Sequence, residues 1–253
     1  MFDIESKMRY NIRVDNEQCE SFRMRTADRR MSMTNQEMLS HVDHTQLKPY
    51  AKWEDITKLC DEAVKYGTAS VCVPPTYIKR IHDTYKEQVN ICTVVGFPLG
   101  YSVTKAKAAE VEQALADGAN EIDMVVNISD VKNHAYAKVE EEIKTLKKIC
   151  GDHILKVIIE TCFLTEEEKI AMCKAVTNAG ADYIKTSTGF GTGGATLEDV
   201  RLFKKHIGPN VKIKAAGGVK TREDLEAFLL EGCDRIGTSS AVGILNGEAA
   251  KGY

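Results

Sequence analysis

Three residues could do chemistry, and each sits within or at the end of a short apolar run. Lys185 closes Tyr183-Ile-Lys-Thr186 just before a glycine-rich stretch. Lys214 lies in Lys212-Ile-Lys-Ala-Ala-Gly-Gly218, and Asp123 in Glu121-Ile-Asp-Met-Val125. A lysine in an Ile/Thr run is costly if buried and charged, so it must be solvated, paired or neutral. The neutral amine suits a nucleophile that condenses with a carbonyl. A second ammonium nearby disfavours protonation of the first, and partial burial acts in the same direction. From spacing alone, a pair of lysines reaching out to solvent is an equal alternative.

Positioning these side chains needs a frame, and the chain alternates to supply one. Strand-like runs fall at 41–47, 70–73, 91–97, 121–127, 154–160, 183–187, 211–216 and 235–238. Helical patterns lie between and after them near 53–66, 75–88, 102–117, 129–150, 165–179, 196–207, 221–231 and 239–246. Helix starts are marked by Pro74-Pro75, by Ser102 and Thr104, by Thr165 with Glu168, and by Thr221 with Asp224. Gly67, Gly118, Gly180, Gly208 and Gly232 mark helix ends. Eight strands alternating with eight helices predict a parallel sheet, and a closed (β/α)8 TIM barrel rather than an open one. In such a barrel the active site forms at the C-terminal strand ends, where Asp123, Lys185 and Lys214 can converge.

A short helix precedes the barrel, starting at a Thr34-Asn-Gln-Glu37 capping box. Residues 1–33 have no sustained period and carry mixed charge and five methionines, Met1, Met8, Met24, Met31 and Met33. They are expected to be a disordered extension, or sequence upstream of a natural start, leaving 34–253 as one barrel domain.

The 253 residues are 43% hydrophobic and 28% charged, with a net charge of −3 and a pI near 6.1. That balance gives no footing for a nucleic-acid partner, and no apolar run is long enough to span a bilayer. Eight scattered cysteines without a Cys-x-x-Cys read as reduced, packed thiols of a cytoplasmic protein. The six histidines do not cluster with carboxylates, so no metal or other cofactor is expected. His44 reads as a packed, hydrogen-bonded residue. Lys156 and Glu160 share a strand face by alternation and are expected to pair inside the barrel. Gly189-Phe-Gly-Thr-Gly-Gly194 matches a dinucleotide fingerprint, but the next strand ends Lys-Ala-Ala-Gly-Gly rather than in the acidic residue that fingerprint needs.

Taken together, Val42-Asp-His-Thr-Gln-Leu-Lys48, Val95-Gly-Phe-Pro-Leu-Gly100, Glu121-Ile-Asp-Met-Val125, Lys156-Val-Ile-Ile-Glu-Thr161, Lys185-Thr-Ser-Thr-Gly189 and Lys214-Ala-Ala-Gly-Gly-Val219 resemble the deoxyribose-phosphate aldolases. The likeness runs from about residue 38 to the C-terminus. It implies a class I aldolase that cleaves 2-deoxy-D-ribose 5-phosphate to D-glyceraldehyde 3-phosphate and acetaldehyde. Lys185 takes the Schiff-base position, Lys214 that of the second lysine, and Asp123 that of the proton-transfer carboxylate. Phe190 stands where some relatives carry lysine, so no role for a charge there carries over.

The substrate's phosphate needs backbone N–H groups. Gly217-Gly218 and Gly237-Thr-Ser239-Ser240 follow strands seven and eight, the usual barrel phosphate site, with Gly189 closing one side. Asp43 is expected near the mouth, positioning Lys214 or substrate. Tyr253, at the end of a glycine-containing tail, could relay a proton or simply fray. Two alternatives stand beside the aldolase: another phosphosugar barrel enzyme (an isomerase or a different Schiff-base lyase), and a non-catalytic binding barrel. The expected partners are small phosphosugars and aldehydes, with a homodimer or higher homo-oligomer as the assembly.

Overall fold

The computed structural model describes residues 33–247, so what the sequence led us to expect for the first 32 residues and for Tyr253 lies outside the described part. The compact unit begins at Asn35. A short helix α1 (Asn35–Leu39) leads into β1 (Val42–Thr45), α2 (Trp53–Tyr66), β2 (Ser70–Val73), α3 (Ile78–Tyr85), β3 (Ile91–Val95) and α4 (Thr104–Ala116). The chain continues through β4 (Glu121–Val125), α5 (Ile128–Lys132), α6 (Tyr136–Cys150), β5 (Ile154–Ile158), α7 (Glu166–Asn178) and β6 (Tyr183–Lys185). It finishes with α8 (Leu197–His206), β7 (Lys212–Ala216), α9 (Arg222–Glu231), β8 (Arg235–Thr238) and α10 (Ala241–Leu245). The strands close in sequence order, each parallel to its neighbours, with β8 pairing back onto β1. This is the expected (β/α)8 barrel.

Alternation along the strands divides their side chains between two environments. Val71, Ile122, Met124, Leu155, Val157, Ile184, Ile213 and Ile236 are buried in the layer between sheet and helices. Each such side chain contributes about 1.5–3 kcal/mol on burial. The alternate positions point inward and are polar: Asp43, Cys72, Cys92, Asp123, Lys156, Lys185 and Lys214 are all buried. The apolar outer layer thus carries the stability, and the interior is left free for charge.

Several boundaries differ from the sequence reading. The helix expected over 129–150 is two helices, broken where His134 takes a left-handed φ of 55°. Asn127 caps the first of them, its side chain accepting from the Ser129 and Asp130 N–H groups. Thr104 does not cap α4. The N-cap is Val103, and the Thr104 hydroxyl donates to Glu142 at 3.0 Å. Gly208 is not a left-handed cap either; its N–H donates to the Thr177 hydroxyl at 2.9 Å. The capping boxes at Thr165–Glu168 and Thr221–Asp224 form as expected.

Candidate active site

β4, β6 and β7 deliver Asp123, Lys185 and Lys214 to one point inside the barrel. Asp123 Oδ2 lies 2.7 Å from Lys185 Nζ and 2.7 Å from Lys214 Nζ. The lysines are register partners on adjacent strands, so both amines reach the same carboxylate oxygen. The other oxygen, Oδ1, accepts from Lys156 Nζ at 2.8 Å and from the Cys92 thiol at 3.2 Å.

The network extends below this point. Lys214 Nζ is 2.5 Å from Asp43, and Lys156 Nζ is 2.6 Å from Glu121 and 3.5 Å from Asp43. Arg235 pairs with Asp43 and, at 3.0 Å, with Glu121. The Ser70 hydroxyl donates to Asp43 at 2.8 Å. Three carboxylates therefore face four basic groups in a water-poor interior. Lys156, Lys214 and Arg235 each meet at least two carboxylates, whereas Lys185 meets only Asp123. Lys185 is thus the basic group of the set with the fewest carboxylate partners.

Electrostatics fix the protonation of the rest. Burial alone would raise the Asp123 carboxyl, but Lys156, Lys185 and Lys214 overcome it and hold Asp123 well below the usual carboxylate range. Asp43 is depressed in the same way, burial being overcome by Lys156, Lys214 and Arg235. Burial would lower the ammonium groups of Lys214 and Lys156, but Asp123 and Asp43 outweigh it and both are raised. Asp43, expected near the mouth, is fully buried and pairs with Lys214.

Above this network the loop after β6 is clamped. Glu160, in a left-handed conformation of φ 52°, accepts from the Thr188 N–H at 3.2 Å and from the Thr188 hydroxyl. A non-glycine residue held there costs about 1–3 kcal/mol, so its surroundings over-determine it. The expected Lys156–Glu160 pair does not form. β5 ends at Ile158, Lys156 turns to Asp123 and Glu121, and Glu160 serves the neighbouring loop instead. The Ser187 hydroxyl, in the loop that follows Lys185, is buried without a hydrogen-bond partner. Such a group invites a substrate hydroxyl.

The expected phosphate residues separate into two places. Gly217 and Gly218 have φ of 76° and 79°, and a Cβ on Gly194 would fall 2.5 Å from the Gly217 carbonyl carbon. Ala195 N–H donates to the carbonyls of Ala216 and Gly217 at 3.1 and 3.2 Å. The glycines of the Gly189–Gly194 segment thus allow two loops to touch backbone to backbone, a use of glycine quite different from cradling a dinucleotide. Gly189 has φ 87°, and a Cβ on Gly217 would fall 3.6 Å from the Gly189 Cα. Gly237 sits lower, within β8, where a Cβ would fall 3.1 Å from Lys214 Cε, so it makes room for that lysine. Ser239 and Ser240 line a groove of about 720 Å³ with Thr45, Gln46 and Lys48. His44 faces away from the barrel interior, 2.8 Å from Glu62 on α2. Phe190 packs edge-on against Phe97 at a centroid distance of 5.3 Å, and it is the only one of that pair with substantial exposure.

In sequence and fold the chain is similar to known aldolases. The family model of the DeoC/LacD family aldolases matches residues 24–250. A deoxyribose-phosphate aldolase of Clostridium botulinum is 74% identical over 221 residues, covering 87% of this chain and 100% of that one. Its counterpart from Clostridioides difficile is 57% identical over 216 residues, covering 85% and 99%. Among solved structures, the tetrameric deoxyribose phosphate aldolase of Aeropyrum pernix superposes with a TM-score of 0.76 at 32% identity, covering 84% of this chain and 91% of that one.

Proposed function

The chain belongs to the DeoC/LacD family of aldolases, and on that premise we propose that it cleaves 2-deoxy-D-ribose 5-phosphate reversibly to D-glyceraldehyde 3-phosphate and acetaldehyde, with Lys185 as the Schiff-base lysine. The observation that carries the assignment of Lys185 is its position: it is the buried lysine of the network held by a single carboxylate, at the end of the shortest strand.

Neutral Lys185 Nζ adds to the C1 aldehyde of the open-chain sugar, and loss of water leaves an iminium. The C2–C3 bond then breaks. Its electron pair moves into the iminium as an enamine while the C3 hydroxyl gives up its proton, and glyceraldehyde 3-phosphate departs. Protonation of the enamine at C2 and hydrolysis of the new iminium release acetaldehyde. Asp123 is ionised at rest among its lysines, so its part is to hold Lys185 and Lys214 and to take up protons transiently and hand them on through Lys214 or water. General acid–base assistance of this kind contributes about 10²–10⁴-fold. The left-handed glycines at 217 and 218, free of side chains, suit close approach of backbone N–H groups to the phosphate, while Ser239 and Ser240 line the separate groove beside Thr45 and Lys48.

A cytoplasmic location and a homo-oligomeric state belong to the same proposal. The seven described cysteines are free thiols, and the Aeropyrum relative is described as tetrameric. No helix among the described residues is long and apolar enough to cross a membrane. Incubation of the purified protein with deoxyribose 5-phosphate should yield both aldehydes in equal amounts. Isomerisation of the sugar phosphate without acetaldehyde would instead favour the isomerase alternative.

A further inference from the structure

The mechanism above gives partners to the oxygens of the sugar and says nothing of what meets its C2 methylene. Asp123 and Lys156 point into the barrel, and two residues further along each of their strands the inward position turns apolar. Val125 on β4 is the register partner of Ile158 on β5, and Ile158 is the partner of Lys185 in turn. Val94 on β3 is the partner of Asp123. It belongs to one apolar cluster with Leu47 and Cys72, against which the half-buried Phe97 packs. From β2 round to β5, the inner wall beside the charged network is therefore built of carbon. Of these six side chains only Cys72 carries a polar atom, and its sulfur is a weak hydrogen-bond partner.

Leu47 and Val94 keep 7% and 6% exposure, whereas Val125 and Ile158 have none. Packed among inward-facing side chains, the first two open toward the mouth, where a carbon chain attached to Lys185 must extend. We propose that this half-ring is the subsite for C2 of the substrate, and that Leu47 and Val94 select a 2-deoxy sugar by giving a C2 hydroxyl nothing to bond. The proposal rests on the aldolase reading above, with Lys185 attached at C1.

Other polar groups of the inner wall are already engaged. The Thr45 hydroxyl donates to the Asp43 carbonyl at 2.8 Å, and that of Thr188 donates to Glu160. Asp123, Lys185 and Lys214 hold one another. The unpartnered Ser187 hydroxyl follows β6, which stands across the closed barrel from β2. It therefore suits a hydroxyl on the opposite side of the sugar, at C3 or C4. Ribose 5-phosphate differs from the deoxy sugar by one hydroxyl at C2, and the same steps would split it into glyceraldehyde 3-phosphate and glycolaldehyde. On this wall its extra hydroxyl would lose water and gain only carbon neighbours.

The test compares kcat/KM of the full-length protein for 2-deoxyribose 5-phosphate and for ribose 5-phosphate, with glyceraldehyde 3-phosphate followed in both cases. Wild type should favour the deoxy sugar by about 10²-fold or more, the scale on which an apolar pocket rejects an added hydroxyl. Val94→Thr, which keeps the shape and supplies a partner, should lower that ratio by at least about 5-fold, the worth of one hydrogen bond. Leu47→Asn should shift it in the same direction, so the outcome does not hang on one variant. Val94→Ala adds room without a partner and should leave the ratio nearly unchanged. Three results would overturn the proposal and leave the aldolase reading intact: equal cleavage of both sugars by wild type, a ratio unmoved in both Val94→Thr and Leu47→Asn, or a ratio that falls as far in Val94→Ala as in Val94→Thr. Failure to cleave either sugar would overturn that reading, and this proposal with it.

Discussion

Lys185 and Lys214 share one oxygen, Asp123 Oδ2, at 2.7 Å from each amine. The second lysine therefore acts on the first across a common carboxylate. With Lys214 in place, much of the negative charge of Asp123 and Asp43 is already matched by its ammonium.

Replacing Lys214 with Met should expose Lys185 to that unmatched charge. A neighbouring negative charge favours the ammonium, so the neutral amine appears only at higher pH. The acidic limb of the kcat/KM profile should move upward, with a loss of rate at neutral pH of about 10²-fold or more. An unmoved limb with a modest rate loss would argue that Lys214 acts by contact with substrate alone.

The depressed carboxyls of Asp43 and Asp123 make a prediction about acid stability. A group whose folded pKa is lowered contributes stability that is fully present above its unfolded value of about 3.9 and is lost as pH falls through the range below it. Urea midpoints should be level from pH 7 to pH 5 as far as these groups are concerned, and should fall steeply below pH 4. Asp43→Asn should flatten that fall, though it starts from a less stable protein because Lys214 and Arg235 lose a partner. A buried ion pair broken on one side typically costs about 3–5 kcal/mol.

How much of this the sequence discloses depends on the range of the interaction. Lys185, Lys214 and Asp123 are readable because charge within a short apolar run is a local anomaly, and the barrel follows from eight alternating periods. Glu121 and Arg235 meet across the barrel from β4 and β8, a contact between strands that are not neighbours, and nothing in either strand's own sequence announces it. Glu160 is misleading for a different reason. Alternation sets it on the face of Lys156 only while the strand lasts, and the strand ends two residues earlier. The break at His134 has no proline or glycine to mark it, so the helical period runs straight through.

The Glu160–Thr188 clamp should matter to rate more than to fold. Glu160→Gln and Thr188→Ala should each lower kcat/KM, because the loop carrying Ser187 and following Lys185 loses its anchor. In the double variant the losses should fall short of additive by about 0.5–3 kcal/mol, as expected for partners in one network. Fully additive losses would mean that the two residues act apart.

Gly194→Ala tests the loop contact that supports the phosphate cradle. Its Cβ would fall 2.5 Å from the Gly217 carbonyl carbon, and backbone cannot yield as a flexible side chain would. The loops after β6 and β7 should part, raising KM for the phosphorylated sugar far more than for 2-deoxyribose itself. Equal changes for both substrates would place the phosphate elsewhere.

The central claim is that Lys185 becomes covalently bound to substrate. Wild-type protein incubated with acetaldehyde and sodium borohydride should gain one ethyl group per chain, mapped by peptide mass spectrometry to Lys185, with turnover lost in proportion. Lys185→Ala should be inactive and unlabelled. Stoichiometric labelling that persists in Lys185→Ala, or that maps in the wild type to Lys214 or Lys156, would contradict the assignment.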